Sequence, residues 1–281
     1  MDSRGYKYRL EPYSSMSSRH TCPQCGKKRN FARYIDVDGN YLGDNIGRCN
    51  SEVSCAYHKP PQGNEIVENG FVYKEIEPTF IRPNEIYTTK YQDTLFDFLC
   101  TKFDMSDVID VYDRYIVRTT NDKWRNSTVF YQKDIEDRFR TGKIISYAKN
   151  GKRIKEPYSR IYWQHKLIKD REFHLQQCLF GEHLLKDFHQ NYSNIYLVES
   201  EKTCLIGSLS YKDDLFLATG GLSNLSKSKL SVLEGYDVEA IPDKGGYDVW
   251  KDKLEPLGIT VNSVMEDSDA PDGDDIGDLL I

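Results

Sequence analysis

The sequence predicts a chain of mixed α+β and α/β class whose three parts differ in composition. Four of the seven cysteines lie between residues 22 and 55. Residues 112–175 carry sixteen Lys and Arg against eight Asp and Glu, whereas residues 231–281 carry three against fourteen. These contrasts predict an N-terminal module whose cysteines bind a metal ion, a mixed basic subdomain and an acidic C-terminal parallel sheet. The expected boundaries are residues 1–60, 61–190 and 191–281.

The N-terminal module is predicted to contain a hairpin between two pairs of cysteines. Residues Phe31–Val37 alternate in polarity, Asp38-Gly39 is a strong two-residue turn signal, and Tyr41–Arg48 returns toward the second pair. A Cys-x2-Cys turn, a hairpin and two further cysteines are typical of a zinc ribbon, in which four ligands surround one ion. A module this short needs such an ion to hold its fold.

The zinc ligands chosen from the spacing are the four clustered cysteines, Cys22, Cys25, Cys49 and Cys55. His58 is an alternative to Cys49 or Cys55, because Cys55-x2-His58 also has knuckle spacing. Clustering of this kind indicates a metal site in a reducing compartment rather than a disulfide framework.

The middle subdomain is predicted to combine two helical segments with antiparallel strands. The helical segments are Thr94–Phe103 and Ser106–Tyr112, and the strands are Tyr115–Val117, Ser127–Tyr131 and Lys143–Tyr147. Cations between and after these strands alternate with aromatic residues, which is the composition of a surface that binds single-stranded nucleic acid. The cations assigned to that surface are Arg138, Arg140, Lys143, Lys152, Arg153 and Lys155. A strand-rich core with outward-facing cations explains the same pattern, and periodicity does not separate the two.

The C-terminal region alternates short apolar runs with helical patterns, so it predicts a parallel βαβ sheet. The strands are Ile195–Val198, Leu215–Ala218, Val238–Pro242 and Ile259–Val264, and helices are expected after Glu199, over Leu225–Leu233 and over Tyr247–Leu254. Three of the strands end in polar or glycine-rich turns, the first in Glu199. Ligands of open α/β sheets bind at the carboxyl ends of strands, so this edge is the candidate site.

These strand-end motifs resemble those of the Toprim domain of bacterial and phage primases. The matching sequences are E-x-E-K-T from Glu199, T-G-G from Thr219 and D-K-G-G from Asp243. The tail around Asp272–Leu280 resembles the D-x-N-D-L-L segment that closes the Toprim region of many phage and plasmid primases. Primases of this kind also carry a zinc ribbon and a basic subdomain before a Rossmann-like Toprim sheet, so the resemblance covers the order of all three parts.

The resemblance implies a Mg²⁺ or Mn²⁺ site built from carboxylates. Glu199 matches the Toprim glutamate, Lys202 is expected to meet a phosphate, and Asp243 matches the D-x-D motif. Only one aspartate of that motif is present, because Ile241 or Gly245 occupies the other position. Asp248, one helical turn further on, is the predicted replacement, so Glu199, Asp243 and Asp248 form the expected catalytic metal set.

The implied function is metal-dependent, template-directed synthesis of RNA primers on single-stranded DNA by a nucleotidyltransferase. Two alternatives stay open: a Toprim nuclease, and a catalytically impaired DNA-binding accessory protein of a mobile element or phage. A nuclease would not need the zinc ribbon, whereas the incomplete D-x-D motif favours the accessory protein.

The expected partners are single-stranded DNA and a separate replicative helicase. The sequence lacks a Walker A motif, so a primase-helicase fusion is not expected. It also lacks a signal peptide and any apolar run of the ~20 residues that span a bilayer, so the expected location is the cytoplasm.

Overall fold

The computed structural model describes residues 8–36, 38–51, 55–61 and 77–281. The chain divides into two compact units, Met1–Ile76 and Glu77–Ile281. Within the described ranges, none of the helices has the length and apolar character needed to cross a membrane.

The N-terminal unit is a small antiparallel sheet with strand order β1-β2-β3-β4. The strands are β1 (Tyr8–Leu10), β2 (Phe31–Asp36), β3 (Gly47–Cys49) and β4 (His58–Lys59). β2 and β3 form the predicted hairpin, with Phe31 opposite Cys49. The return strand is shorter than predicted, because only Gly47 and Arg48 of Tyr41–Arg48 belong to β3, and Val37 lies outside the described residues.

Two helices open the C-terminal unit, α1 (Thr94–Leu99) and α2 (Met105–Arg114). The N-cap of α1 is Asp93, which is fully buried and accepts a hydrogen bond from the Phe96 amide. The same carboxylate accepts hydrogen bonds from the hydroxyls of Tyr112, Thr119 and Thr128. Four donors satisfy this buried acid, so it links both helices to the strands that follow.

An antiparallel sheet with order β5-β6-β7-β8 follows the helices. Its strands are β5 (Val117–Thr120), β6 (Ser127–Lys133), β7 (Phe139–Ile145) and β8 (Ile161–Trp163). β5 begins two residues later than predicted, because Tyr115 caps the end of α2 and its side chain is buried. The Tyr115 hydroxyl donates to the carbonyl oxygen of Phe216 at 2.8 Å, so this ring ties α2 to the next sheet.

The second sheet of this unit is parallel throughout and has the order β10-β9-β11-β12. Its strands are β9 (Ile195–Val198), β10 (Leu215–Ala218), β11 (Val238–Ile241) and β12 (Thr260–Val261). The helices around it are α3 (Phe188–Asn191), α4 (Glu201–Ser210), α5 (Lys227–Leu230), α6 (Tyr247–Leu254) and α7 (Ile276–Leu279). The predicted parallel sheet is confirmed, and only its last strand is markedly shorter than expected.

Burial explains why the apolar runs form this sheet. Every residue of β10 is buried, as expected for a parallel strand that is covered on both faces. Helix α4 packs on the sheet at close range, because a Cβ atom on Gly207 would lie 2.4 Å from the ring of Phe216. This packing fixes where the first turn of α4 stands relative to the ends of β9 and β10.

Candidate functional site

Four thiols form a metal-binding group in the N-terminal unit. The Sγ atoms of Cys22 and Cys55 are 3.7 Å apart, those of Cys25 and Cys49 are 3.9 Å apart, and all four lie within 4.8 Å of one another. Tetrahedral zinc with Zn–S bonds of about 2.3 Å places its sulfur atoms about 3.8 Å apart. The donor set and its spacing therefore fit one zinc ion, and the predicted zinc ribbon is confirmed.

The local sequence explains how this group forms. The amide of Gly26 donates to the carbonyl oxygen of Cys22 at 3.1 Å, and its φ of 68° is one that glycine adopts readily. This tight turn brings Cys22 and Cys25 to the same point. His58 lies elsewhere, with Nε2 3.1 Å from the hydroxyl of Tyr34, so the structure favours four cysteines over the histidine alternative.

A second site lies in the C-terminal unit, in a cleft of about 530 Å³ at the carboxyl ends of the parallel strands. β11 pairs with β9, with Ile241 opposite Val198, so Glu199 and Asp243 emerge side by side from neighbouring strands. A third carboxylate is that of Asp275, the N-cap residue of α7, and the acids Glu156, Asp274 and Asp278 also line the cleft. Two strand ends and one helix start therefore bring three acids into one cavity.

Burial and neighbouring charges raise the pKa of all three acids. Burial, and then the charges of Glu199 and Asp275, raise the pKa of Asp243 to about 8. Burial also raises the pKa of Glu199 and of Asp275, although the amide of Leu222 and nearby cations oppose the rise at Glu199. Buried carboxylates whose pKa is raised by neighbouring like charges, as at Asp243, are typical of sites that hold a cation or a shared proton.

Oxygen donors of this kind suit Mg²⁺ or Mn²⁺. Across the described ranges, the cysteines are the only group of three or more Cys, His, Asp or Glu residues whose ligand atoms all lie within 4.8 Å. The three carboxylates are therefore spread more widely than the thiols.

The six cations predicted to bind nucleic acid fall into two sets. Lys152, Arg153 and Lys155 are exposed and line the cleft, where Arg153 partly offsets the charges of Glu199 and Asp243. The other three are engaged in ion pairs; Arg138 is exposed, whereas Arg140 and Lys143 are buried, and Lys143 also lines the cleft. Arg138 and Arg140 bind Asp134 at 2.9 and 2.7 Å, and Lys143 binds Glu201 at 2.9 Å.

Lys202 lies in the cleft as expected, whereas Asp248 does not. Lys202 lines the cleft, but its Nζ donates to Asp278 at 3.0 Å, so it holds helix α7. Asp248 is exposed in the first turn of α6 and does not line the cleft with Glu199 and Asp243. Asp275 lines the cleft together with Glu199 and Asp243. The tail motif was a signal for this residue, but its spacing from Asp243 gave no reason to place the two together.

Comparisons with known proteins agree with the division of the chain. A sequence model described as a zinc beta-ribbon finger matches residues 6–69. No curated protein matches the chain.

The solved structures to which the chain is similar include DNA primase domains from bacteria and a phage. The primase fragment of the bacteriophage T7 primase-helicase is 12% identical, with 92% of each chain covered and a TM-score of 0.42. The RNA polymerase domain of Mycobacterium tuberculosis primase is 14% identical with a TM-score of 0.38, and the match covers 68% of this chain and 63% of that domain. The zinc-binding and RNA polymerase domains of Aquifex aeolicus primase are 16% identical with a TM-score of 0.38, at 65% and 45% coverage.

A second sequence model matches residues 93–244, which is more than half of the 281 residues and includes the antiparallel sheet, β9, β10 and β11. The chain therefore belongs to the family described as domain of unknown function DUF6371.

Proposed function

We propose that the parallel sheet is a Toprim-type domain and that the chain is a primase-like nucleotidyltransferase. The observation that carries this proposal is one cleft lined both by the carboxylates Glu199, Asp243 and Asp275 and by the exposed cations Lys152 and Lys155. Joining nucleotides requires a site that neutralises phosphate charge on one side and holds divalent cations on the other.

In this proposal the three carboxylates would hold Mg²⁺ or Mn²⁺, which when bound supplies positive charge to the phosphates of the nucleotide. Glu199 stands at the end of β9, where the nearby Leu222 amide favours the charged form of its carboxylate and opposes the rise of its pKa. With a pKa of about 8, Asp243 holds a proton at neutral pH until a cation displaces it. The three carboxylates therefore offer oxygen ligands to a divalent cation.

In this proposal the cationic loop and the zinc ribbon contact the nucleic acid. The loop that carries Lys152, Arg153 and Lys155 offers exposed cations to the phosphates of a single-stranded DNA template and its RNA product. A zinc ribbon holds a rigid strand surface without a large core, which suits contact with an unpaired template. Together with the motif resemblance, this arrangement favours template-directed RNA primer synthesis.

The direct test is incorporation of ribonucleotides on single-stranded DNA by the zinc-loaded full chain, with Mg²⁺ or Mn²⁺. We expect short RNA products that depend on the template sequence. Glu199→Gln should abolish them, whereas Glu234→Gln, at an exposed position outside the cleft, should leave them unchanged.

The same assay separates the competing functions. Metal-dependent degradation of the template that also requires Glu199 would replace the primase proposal with a nuclease. Salt-sensitive DNA binding without either product would identify a DNA-binding protein that has lost catalysis.

A further inference from the structure

Asp275 lines the cleft but does not lie at the end of a strand of the parallel sheet. It follows Asp243 by 32 residues and lies beyond β12, in the turns that precede α7. The position of its carboxylate therefore depends on contacts that fasten residues 266–275 to the rest of the unit.

Most of those contacts are made by Lys244, the residue after Asp243. The Lys244 amide donates to the carbonyl oxygen of Asp274 at 2.9 Å, and the Gly273 amide donates back to the carbonyl oxygen of Lys244 at 3.1 Å. The Nζ atom of Lys244 donates to the carbonyl oxygen of Ser268 as well. One residue thus binds the segment through its backbone and its side chain.

Neighbouring contacts support the same attachment. The Gly245 amide donates to the carboxylate of Glu266 at 2.9 Å, with Gly245 at a φ of 85°. On the C-terminal side, the carboxylate of Asp275 accepts a hydrogen bond from the amide of Asp278 at 3.1 Å, and Lys202 binds the Asp278 side chain. The segment is therefore held on both sides of Asp275.

We propose that Lys244 is a positioning residue that fixes the acidic segment so that Asp275 completes the carboxylate set with Glu199 and Asp243. This inference rests on the proposed function and explains the incomplete D-x-D motif. With Asp243 as the first aspartate of the motif, position 245 holds glycine where the motif has its second aspartate. Lys244 instead binds the segment 266–275, which carries Asp275. Residues that orient a metal ligand affect the affinity for the metal ion, although they do not contact the ion themselves.

The test uses the zinc-loaded full chain with Lys244→Met, the conservative variant Lys244→Arg, and Lys253→Met as a matched control on the exposed face of α6. Amide hydrogen exchange reports the attachment of residues 266–279, and calorimetric titration with Mn²⁺ reports the site. We expect Lys244→Met to speed exchange in that segment and to weaken Mn²⁺ binding about tenfold. Lys244→Arg should restore much of both, and the control should change neither.

A double variant separates positioning from general damage. If Lys244 acts through Asp275, then Lys244→Met should not weaken Mn²⁺ binding further in the Asp275→Asn background. The proposal would be overturned if Lys244→Met changed neither the hydrogen exchange nor the Mn²⁺ affinity. It would also be overturned if Lys244→Met weakened Mn²⁺ binding equally with and without Asp275→Asn, or if the unmodified chain bound no Mn²⁺. The expected Mn²⁺ results without RNA products would overturn the proposed function and leave the role of Lys244 standing.

Discussion

The Nζ atom of Lys143 lies 2.9 Å from both carboxylate oxygens of Glu201 and 3.0 Å from the carbonyl oxygen of Gly220. Both side chains are nearly inaccessible, at 7% and 2% exposed. Three acceptors engage the three protons of the ammonium group. This pair therefore joins β7 to the start of α4 and to the turn after β10, at the floor of the cleft.

Breaking this pair should destabilise the C-terminal unit. Lys143→Met leaves the Glu201 carboxylate buried without a cation, so we expect a loss of about 3–5 kcal/mol in the free energy of unfolding. The double variant Lys143→Met/Glu201→Met should recover part of this loss, because neither charge remains. All three tryptophans lie in the C-terminal unit, so their fluorescence during urea denaturation measures it. The exposed Lys149→Met is the control, and a loss below about 1 kcal/mol in Lys143→Met would contradict the expected role.

Zinc binding should require all four cysteines and not His58. Cys49→Ser removes one of the four sulfur ligands, so the chain should bind zinc at less than one ion per chain and lose hairpin structure. His58→Ala removes a side chain that contacts Tyr34, so zinc should remain at one ion per chain. Metal analysis of both purified variants checks this. Retention of zinc by Cys49→Ser together with loss from His58→Ala would show that the histidine is the ligand.

The parallel sheet was predictable because its signal is local. Ile195–Val198 and Leu215–Ala218 are continuous apolar runs, and the structure places strands over both ranges. The places of Glu199 and Asp243 at strand ends were predictable for the same reason, since each follows such a run. Asp275 was not, because it is brought to the cleft by hydrogen bonds between distant backbone segments, which composition and periodicity do not reveal.

The roles of the cations were predictable only in part. Arg140 and Lys143 stand in a basic stretch, and sequence alone gave no sign that Asp134 and Glu201 would neutralise them. Both partners lie on turns or helices whose orientation depends on tertiary packing. A cation count therefore overestimates the charge that a surface offers to nucleic acid.

The stability of the chain should fall as the pH rises while no divalent cation is present. The pKa of Asp243 rises from 3.8 to about 8 on folding, so between these values the folded chain binds a proton that the unfolded chain releases. At pH 8 without added Mg²⁺, Asp243→Asn should therefore have a higher Tm than the unmodified chain, and the difference should vanish near pH 4. Mg²⁺ should raise the Tm of the unmodified chain only.

Thermal denaturation of the zinc-loaded proteins across this pH range provides the measurement. Asp248→Asn, which changes an exposed aspartate outside the cleft, is the matched control and should follow the unmodified chain. Equal pH dependence in the unmodified chain and in Asp243→Asn would show that Asp243 is already ionised in the folded state at pH 4.

Affinity for single-stranded DNA should depend on the exposed cations of the cleft and not on the paired ones. Each phosphate contact contributes about 0.7 to the slope of log K against log salt for single strands. Lys152→Ala/Lys155→Ala should therefore reduce that slope by about 1.4, since two contacts are lost. Arg138→Ala should leave it nearly unchanged, because Arg138 already binds Asp134 and Glu136 at 2.9 and 2.7 Å. Fluorescence anisotropy with a labelled oligonucleotide at several salt concentrations measures the slopes. A reduced slope in Arg138→Ala with an unchanged slope in Lys152→Ala/Lys155→Ala would place the binding surface at Arg138, next to β7, and not in the cleft.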